Sequence, residues 1–191
     1  MVVKLVEKKR LVVGISGASG AILGIRFLSA LKELEIESHL VISPAAEKTI
    51  NLETGWQVRQ VQELASAVYQ YEEIGASIAS GSFKSDGMAV IPCSIKTLSA
   101  IANSYSADLL ARAADVTLKE GRPLLLVVRE TPLHPGHLRL MTEAANAGAV
   151  IFPPVPAFYA RPQSIEQVVD DMIGRALLRL GIDNDLYTRW T

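Results

Sequence analysis

Leu11-Val-Val-Gly-Ile-Ser-Gly-Ala-Ser-Gly20 is the stretch that decides the fold. Its first six residues are mostly apolar and rich in β-branched side chains, which predicts a buried strand over residues 11–16. The small, glycine-rich residues that follow lead into a segment with helical periodicity, which predicts a helix over residues 18–34. A buried strand, a glycine turn and a helix in succession are typical of an α/β fold with a parallel sheet.

The same alternation of short apolar runs and longer helical patterns continues along the chain. Further strands are predicted at residues 39–43, 88–92, 124–128 and 149–152. Further helices are predicted at residues 44–53, 58–65, 94–103, 108–119, 137–147 and 164–180. We therefore predict a single domain over residues 1–191, of the α/β class, with a doubly wound, Rossmann-like and mostly parallel sheet. The polar segment 69–86 is predicted to be a long functional loop.

Composition and charge restrict the class of protein. The chain has 191 residues, of which 49% are hydrophobic and 20% charged, so it is too apolar for a disordered protein. Nineteen basic and twenty acidic residues give a net charge of −1, which provides no general field for nucleic acid or for an anionic membrane surface. A nearly neutral, apolar chain also favours association, and we predict a homo-oligomer.

The single cysteine, Cys93, excludes an internal disulfide and a multi-cysteine zinc site, which is consistent with a cytoplasmic location. No run reaches the roughly 18 uninterrupted apolar residues of a membrane span. His134 and His137 are three residues apart, but His39 is the only other histidine, and we predict no metal site. Cys93 has no base next to it in sequence, so we predict a small buried residue rather than a nucleophile.

In a doubly wound sheet, ligands bind outside the carboxyl ends of the strands, near the point where the strand order reverses. All five predicted strand ends are polar or rich in glycine or proline. These ends lead into residues 17–20, 43–44, 93–97, 129–131 and 153–159. Together they predict a ligand site at this edge, although loops begin where strands stop and some polarity there is expected in any case.

The turn after the first strand has two interpretations. Its glycines allow backbone N–H groups to approach a phosphate at the helix N-terminus, but they also fit a tight turn that packs closely. The spacing differs from G-x-G-x-x-G, and Gly20 is followed by alanine rather than by the Lys-Ser/Thr ending of a P-loop. Ser43 stands where a dinucleotide enzyme would place an acid, which favours a mononucleotide or a flavin.

Four charged residues of the predicted helix 108–119 share one face, because they are spaced by three or four residues. They are Asp108, Arg112, Asp115 and Lys119. Either they form the intrahelical ion pairs 108–112 and 115–119, which the sequence alone favours, or the two cations face a cleft and neutralise a phosphate. In the last helix, Arg175 and Arg179 are equally placed candidates for such a role.

Six ordered motifs together resemble the UbiX/Pad-type flavin prenyltransferase family. The resemblance runs from about residue 11 to residue 190. The motifs are Gly17-Ala-Ser-Gly-Ala21, Pro92-Cys-Ser-Ile-Lys-Thr-Leu98, Arg112-Ala-Ala-Asp-Val116, Leu118-Lys-Glu-Gly-Arg-Pro-Leu124, Arg129-Glu-Thr-Pro-Leu133 and Pro153-Pro-Val-Pro-Ala-Phe-Tyr159.

This resemblance implies a flavodoxin-like fold, a homododecamer and a metal-independent enzyme. Members of the family transfer a dimethylallyl group from dimethylallyl phosphate to N5 and C6 of reduced FMN. The prenylated FMN is then passed to a UbiD-type decarboxylase. The His134-Pro-Gly-His137 stretch is more similar to members that serve phenolic or aromatic acid decarboxylases, so the resemblance leaves the identity of that decarboxylase open.

The resemblance also implies roles for individual residues. The FMN contacts become Gly17, Ala18, Ser19, Ser43, Ser94, Ile95, Lys96, Thr97 and Arg129. The contacts to the prenyl phosphate become Tyr159 and Arg175, with Arg112 and Lys119 completing a cationic pocket. The catalytic positions become Ser19, Glu53, Lys119 and Glu130. Trp190 matches a tryptophan of a C-terminal segment that covers the site, and Ser80-Gly-Ser-Phe83 is the part of the 69–86 segment that resembles the family.

Two other functions are kept as alternatives. The first is a flavoprotein similar to phosphopantothenoylcysteine decarboxylase, but Pro92-Cys-Ser-Ile-Lys-Thr97 lacks the Pro-Ala-Ser-Ala-Asn-Thr signature of that enzyme. The second is an FMN-binding subunit without catalytic activity, for which cations at 112, 119 and 175 would have no use. Replacing Lys119 or Arg175 would separate an enzyme from such a carrier.

Overall fold

The computed structural model describes residues 8–189. Within this range the chain forms one six-stranded sheet in which every paired strand is parallel and the spatial order is β3-β2-β1-β4-β5-β6. The strands are β1 (Arg10–Ile15), β2 (Glu37–Ile42), β3 (Ala67–Tyr69), β4 (Gly87–Cys93), β5 (Leu124–Val128) and β6 (Val150–Ile151). The predicted doubly wound α/β class is confirmed.

Seven α-helices cover the two faces of the sheet in the described part of the chain. They are α1 (Ala21–Glu33), α2 (Pro44–Glu53), α3 (Val58–Gln62), α4 (Ile95–Ala102), α5 (Leu109–Lys119), α6 (Pro135–Asn146) and α7 (Ile165–Arg179). Short 3-10 turns are found at Ser77–Ala79 and Phe158–Ala160. Between residues 8 and 189, no helix combines the length and the apolar character that crossing a bilayer requires.

The two faces of the sheet bury separate apolar clusters, because neighbouring side chains of a strand point to opposite faces. In β1, Leu11, Val13 and Ile15 pack with α1 and α7, whereas Val12 packs with α4, α5 and α6. Strands that are buried on both faces explain the continuous apolar runs in the sequence. Consequently α5 and α7 lie on opposite sides of the sheet.

The sequence prediction missed β3. This strand is only three residues long, polar residues flank it on both sides, and it pairs with β2 at the edge of the sheet. The predicted 69–86 loop begins at the last residue of this strand and is not wholly exposed, since Ala76 and Ile78 are buried in the core. With β3 included, the strand order is that of the Rossmann fold.

Two helix starts differ from their predicted positions for local reasons. Helix α1 begins at Ala21 rather than at residue 18, because Gly20 has a positive φ of 97° and ends the preceding loop. Helix α6 begins at Pro135 rather than at residue 137, since proline fits the first helical position, where its missing N–H is not needed.

A polar network links the amino ends of β1 and β2. The Arg10 side chain forms an ion pair with Glu37, with Nε 2.9 Å from Oε1. Glu37 Oε1 also lies 2.8 Å from Nε2 of the buried His39, whose Nδ1 lies 2.9 Å from the Tyr69 hydroxyl. Hydrogen bonds from Arg10 and then from His39 lower the pKa of Glu37.

We expect Glu37→Gln to destabilise the fold by about 1–2 kcal/mol at pH 7. Because the pKa of Glu37 is lowered in the folded state, its contribution is present above its unfolded pKa of about 4.3 and is lost as the pH falls through the folded value. Urea denaturation of both proteins between pH 7 and about pH 3 measures this. The difference should shrink toward low pH; an equal difference at both ends of the range would contradict the explanation.

Candidate functional site at the carboxyl edge

The strand order reverses between β1 and β4, and the loops that follow these strands form the centre of the site. Ser16, directly after β1, joins them. Its hydroxyl donates to the Pro92 carbonyl at 3.0 Å and accepts from the Ser94 N–H at 2.8 Å. Ser16 was not predicted as a site residue. Its hydroxyl at the end of an otherwise apolar strand is the feature of the sequence that could have indicated this role.

The glycine turn after β1 is held by α2. A Cβ at Gly17 would lie 2.3 Å from the Cβ of Ala45, so only glycine allows α2 to approach this closely. At the other end of α2, Glu53 Oε2 accepts from the N–H groups of Gly20 at 2.7 Å and Ala21 at 3.3 Å. The packing interpretation of the turn therefore has direct support, and a carboxylate of the chain itself occupies the N-terminus of α1.

Two further helices begin at this edge with serine caps. The Ser43 side chain accepts from the Ala46 N–H at 3.2 Å at the start of α2. The Ser94 side chain accepts from the Thr97 N–H at 3.3 Å and donates to its hydroxyl at 3.1 Å at the start of α4. These predicted FMN contacts are thus brought together around the switch point, with hydroxyl groups and helix N-termini suited to an anion.

Charged side chains surround these caps. Lys96 is exposed in the first turn of α4, and Arg129, the first residue after β5, is exposed and donates its backbone N–H to the Cys93 carbonyl at 3.1 Å. Glu130 follows, and its Oε1 accepts from the Thr131 N–H at 2.9 Å. Ala18, Ser19 and Ile95 are half-buried beside the same loops. The carboxyl edge therefore collects every predicted FMN contact and Glu130.

Cys93 is fully buried in the core next to this site. Burial raises the pKa of its thiol well above the usual range, because the thiolate would lose its hydration. A thiol held in its neutral form is a poor nucleophile. This supports the interpretation of Cys93 as a packing residue.

The charged face of α5 is paired differently from the predicted pattern. Arg112 contacts Asp115, with Nη1 3.0 Å from Oδ2, and Lys119 pairs with Glu120. Asp108 instead caps α5 and accepts from the Tyr71 hydroxyl at 2.6 Å. Both predicted pairs, 108–112 and 115–119, are therefore wrong. Burial and the hydrogen bond to Asp108 raise the pKa of Tyr71.

Lys119 lies at the amino edge of the sheet, far from the predicted FMN contacts of the same chain. It ends α5, and its ammonium lies beside Gly81, whose carbonyl accepts from Arg122 shortly before β5 begins. A six-residue strand such as β1 separates the two edges by about 20 Å. Lys119 therefore does not enter the cleft of its own chain. The sequence alone does not show this position.

Tyr159 and Arg175 lie on the α7 side of the sheet. The Tyr159 hydroxyl donates to the Thr188 carbonyl at 3.1 Å, and the Thr188 N–H donates to Asp171 in α7 at 3.0 Å. Arg175 is exposed one turn after Asp171 and so lies on the same helical face. Since α5 and α7 cover opposite faces, the predicted cationic pocket does not form within one chain. Trp190 lies outside the described residues.

The two histidines of α6 form a pair at its start. The ring centroids of His134 and His137 lie 3.7 Å apart with their planes tilted by 37°, and the Gly136 N–H donates to Nδ1 of His134 at 3.0 Å. Nδ1 of His137 is buried with no hydrogen-bond partner. In residues 8–189, no three side chains of histidine, cysteine, aspartate or glutamate are grouped as ligands for a metal ion.

Comparison with known proteins identifies the family. The Flavoprotein family model matches residues 3–177. Flavin prenyltransferase UbiX of Escherichia coli strain K12 is 58% identical over 185 residues, which cover 95% of this chain and 98% of that protein. The chain belongs to the UbiX family of flavin prenyltransferases. A second UbiX relative, from Thauera aromatica, is 53% identical over 182 residues, covering 95% of this chain and 94% of its own.

Solved UbiX structures have the same fold. AnUbiX (PadA1), in complex with FMN and dimethylallyl pyrophosphate, gives a TM-score of 0.95 at 50% identity. The match covers 96% of this chain and 98% of that chain. A dodecameric FMN-dependent UbiX-like decarboxylase from Escherichia coli O157:H7 gives a TM-score of 0.93 at 45% identity, with 95% of this chain and 99% of that chain covered. The predicted resemblance to the UbiX family is confirmed.

Proposed function

We propose that this chain is a flavin prenyltransferase that transfers a dimethylallyl group from dimethylallyl phosphate to N5 and C6 of reduced FMN, releasing phosphate. The observation that carries this is the full-length similarity to UbiX prenyltransferases, together with the grouping of the predicted FMN contacts around one switch point. Neither a cysteine decarboxylase nor a carrier without activity accounts for both. Residues 1–191 are proposed to form one domain.

The carboxyl edge fits FMN by its chemistry. Ser43, Ser94 and Thr97 offer hydroxyls at helix starts, and Arg129 adds a cation for the dianionic phosphate. Lys96 lies exposed beside them. Residues 17–19 and Ile95 form the neighbouring surface for the rest of the flavin. When bound, the reduced flavin supplies the nucleophilic N5 and C6 positions.

A second copy of the chain completes the donor pocket. Lys119 lies at the opposite edge of the sheet from the predicted FMN contacts, so it can meet a flavin only when that flavin is bound to another copy. Arg112 lies on the same side of the sheet, near the start of α5. Tyr159 and Arg175 lie on the α7 side and complete the grip on the phosphate. We propose a homo-oligomer, a dodecamer like the relative from Escherichia coli O157:H7, in which each site is shared.

The charges of this pocket suit an allylic transfer. As the carbon–oxygen bond of the donor breaks, the cations stabilise the departing phosphate, and water must be excluded from the allylic fragment. Glu130, close to the FMN edge, is proposed to accept the proton lost from the flavin. Ser19 is proposed to hydrogen-bond near the reacting positions, and Glu53 to support the turn that carries Ser19.

The proposed activity is tested directly by incubating the purified protein with reduced FMN and dimethylallyl phosphate without oxygen. The flavin should gain one five-carbon unit by mass spectrometry, with phosphate released in equal amount. Oxidised FMN is the control and should give no product. A flavin of unchanged mass under reducing conditions would overturn the proposal.

The product and the location follow from the same proposal. Prenylated FMN is proposed to pass to a UbiD-type decarboxylase, which the family resemblance implies as the recipient. A cytoplasmic location is proposed because the one cysteine of the chain is a buried free thiol, as expected for a protein of a reducing compartment.

A further inference from the structure

A tight turn beside Lys119, residues 80–83, is held in place by Arg122. The Arg122 guanidinium donates to the Gly81 carbonyl at 2.9 Å and to the Phe83 carbonyl at 2.6 Å. Within the turn, the hydroxyls of Ser80 and Ser82 lie 2.8 Å apart. One planar guanidinium that bridges two carbonyls fixes both the position and the direction of the turn.

The other end of this 80–83 turn is anchored by an aromatic side chain. The Phe83 ring meets the buried His39 ring edge-on, with centroids 4.8 Å apart. The Arg10 guanidinium lies 5.2 Å from the centroid of the same ring. Because His39 is itself held by Glu37 and Tyr69, the turn is attached to the sheet through Phe83 and to the end of α5 through Arg122.

The middle of the turn is in close contact with the Lys119–Glu120 ion pair. A Cβ built on Gly81 would lie 2.8 Å from Nζ of Lys119 and 2.2 Å from Oε1 of Glu120. The ion pair therefore occupies space that only glycine leaves open. The hydrogen bond from Lys119 lowers the pKa of Glu120, so the Glu120 carboxylate is ionised near neutral pH.

We propose that the 80–83 turn positions the Lys119 ammonium for the donor phosphate, with Gly81 and Arg122 as positioning residues. This rests on the proposed function, in which Lys119 binds that phosphate. Lysine is a flexible side chain with a compact charge, so its binding geometry depends on what restricts it. Here the Gly81 backbone on one side and the Glu120 carboxylate on the other restrict it.

Gly81→Ala is a suitable probe because both clashing groups are the ends of flexible side chains. The fold can accept the methyl group by moving the ion pair, and the displacement falls on Lys119 and Glu120. Gly75→Ala is the matched control, since Gly75 belongs to the same 69–86 segment and a Cβ there would meet nothing within 4 Å.

The experiment measures steady-state kinetics of the assembled enzyme with dimethylallyl phosphate, together with FMN affinity and Tm. Gly81→Ala and Arg122→Ala should each raise KM about tenfold, with kcat and FMN affinity nearly unchanged. Arg122→Lys should recover part of this loss, because a lysine can reach one of the two carbonyls. Gly75→Ala should behave as the wild type, as should Arg59→Ala, which removes an exposed ion pair with Glu63.

A double-mutant cycle separates positioning of Lys119 from a general structural effect. If Gly81 acts through Lys119, adding Gly81→Ala to Lys119→Ala should not raise KM further. Equal increases in both backgrounds would overturn the positioning role, as would a wild-type KM for Gly81→Ala. A wild-type KM for Lys119→Ala alone would instead contradict the phosphate-binding role in the proposed function.

Discussion

Lys119→Ala is expected to lower kcat/KM for dimethylallyl phosphate about a hundredfold, which is within the 2–5 kcal/mol that a lost charge partner costs in a desolvated pocket. Flavin affinity should be unchanged, because Lys119 is proposed to contact the donor phosphate and is not one of the predicted FMN contacts. Initial rates of phosphate release measure the first quantity, and flavin fluorescence titration measures the second. Lys32→Ala is the control, because the exposed Lys32 ammonium donates to the Glu63 carbonyl and is not among the predicted site residues.

Shared sites make a stronger form of this prediction. Arg129→Ala should lose activity because it loses FMN binding, and Lys119→Ala should keep only about a hundredth of the wild-type kcat/KM because it loses phosphate binding. When the two variants are co-expressed in equal amounts, about a quarter of the sites combine an intact FMN edge with an intact Lys119, so activity should return. Mixed assemblies as inactive as each variant alone would show that one chain supplies both parts.

Glu130→Gln is expected to lower kcat by a factor of about 10²–10⁴, the usual contribution of a general acid–base group. The amide keeps the size of the side chain and can still accept from the Thr131 N–H, so the loop after β5 should be preserved. KM for the donor and FMN affinity should change little. Single-turnover formation of prenylated FMN, followed by mass spectrometry, is the measurement.

Glu63→Gln, an exposed member of an ion pair on the surface, is the control for this substitution and should have normal activity. Prenylated FMN formed by Glu130→Gln at the wild-type rate would contradict the assigned role. A rate loss accompanied by weak FMN binding would indicate that Glu130 holds the flavin and does not move a proton.

Much of the fold could be predicted because buried parallel strands and their crossover helices leave long, regular patterns. The five longer runs of the sequence correspond to β1, β2, β4, β5 and β6. The edge strand β3 could not be predicted, because its three residues stand between the polar Ser66 and Gln70, whereas the two-residue β6 lies within the apolar run 149–152. The start of α1 depended on the positive φ of Gly20, which a helical pattern does not encode.

The parts of the candidate site that directly follow strand ends could be predicted from the sequence. The parts that depend on contacts between residues far apart in the chain could not. The rule for carboxyl ends placed Ser43, Ser94 and Arg129 together. Nothing local in the sequence indicates that Glu53 contacts the N-terminus of α1, 32 residues away along the chain. Periodicity placed Lys119 on one face of a helix, but it could not tell that this end of the helix lies at the opposite edge of the sheet from the chain's own predicted FMN contacts.

The hydrogen bonds of the Ser16 hydroxyl affect how well ordered the proposed flavin site is before binding. Ser16 follows β1, and its hydroxyl joins the two halves of the sheet by donating to the carbonyl of Pro92 in β4 and accepting from the N–H of Ser94, just after β4. The two loops at the centre of the proposed flavin site are therefore already joined before a ligand binds. Binding then costs little conformational entropy in these loops, so less of the favourable contact free energy with the nucleotide is offset by loop ordering.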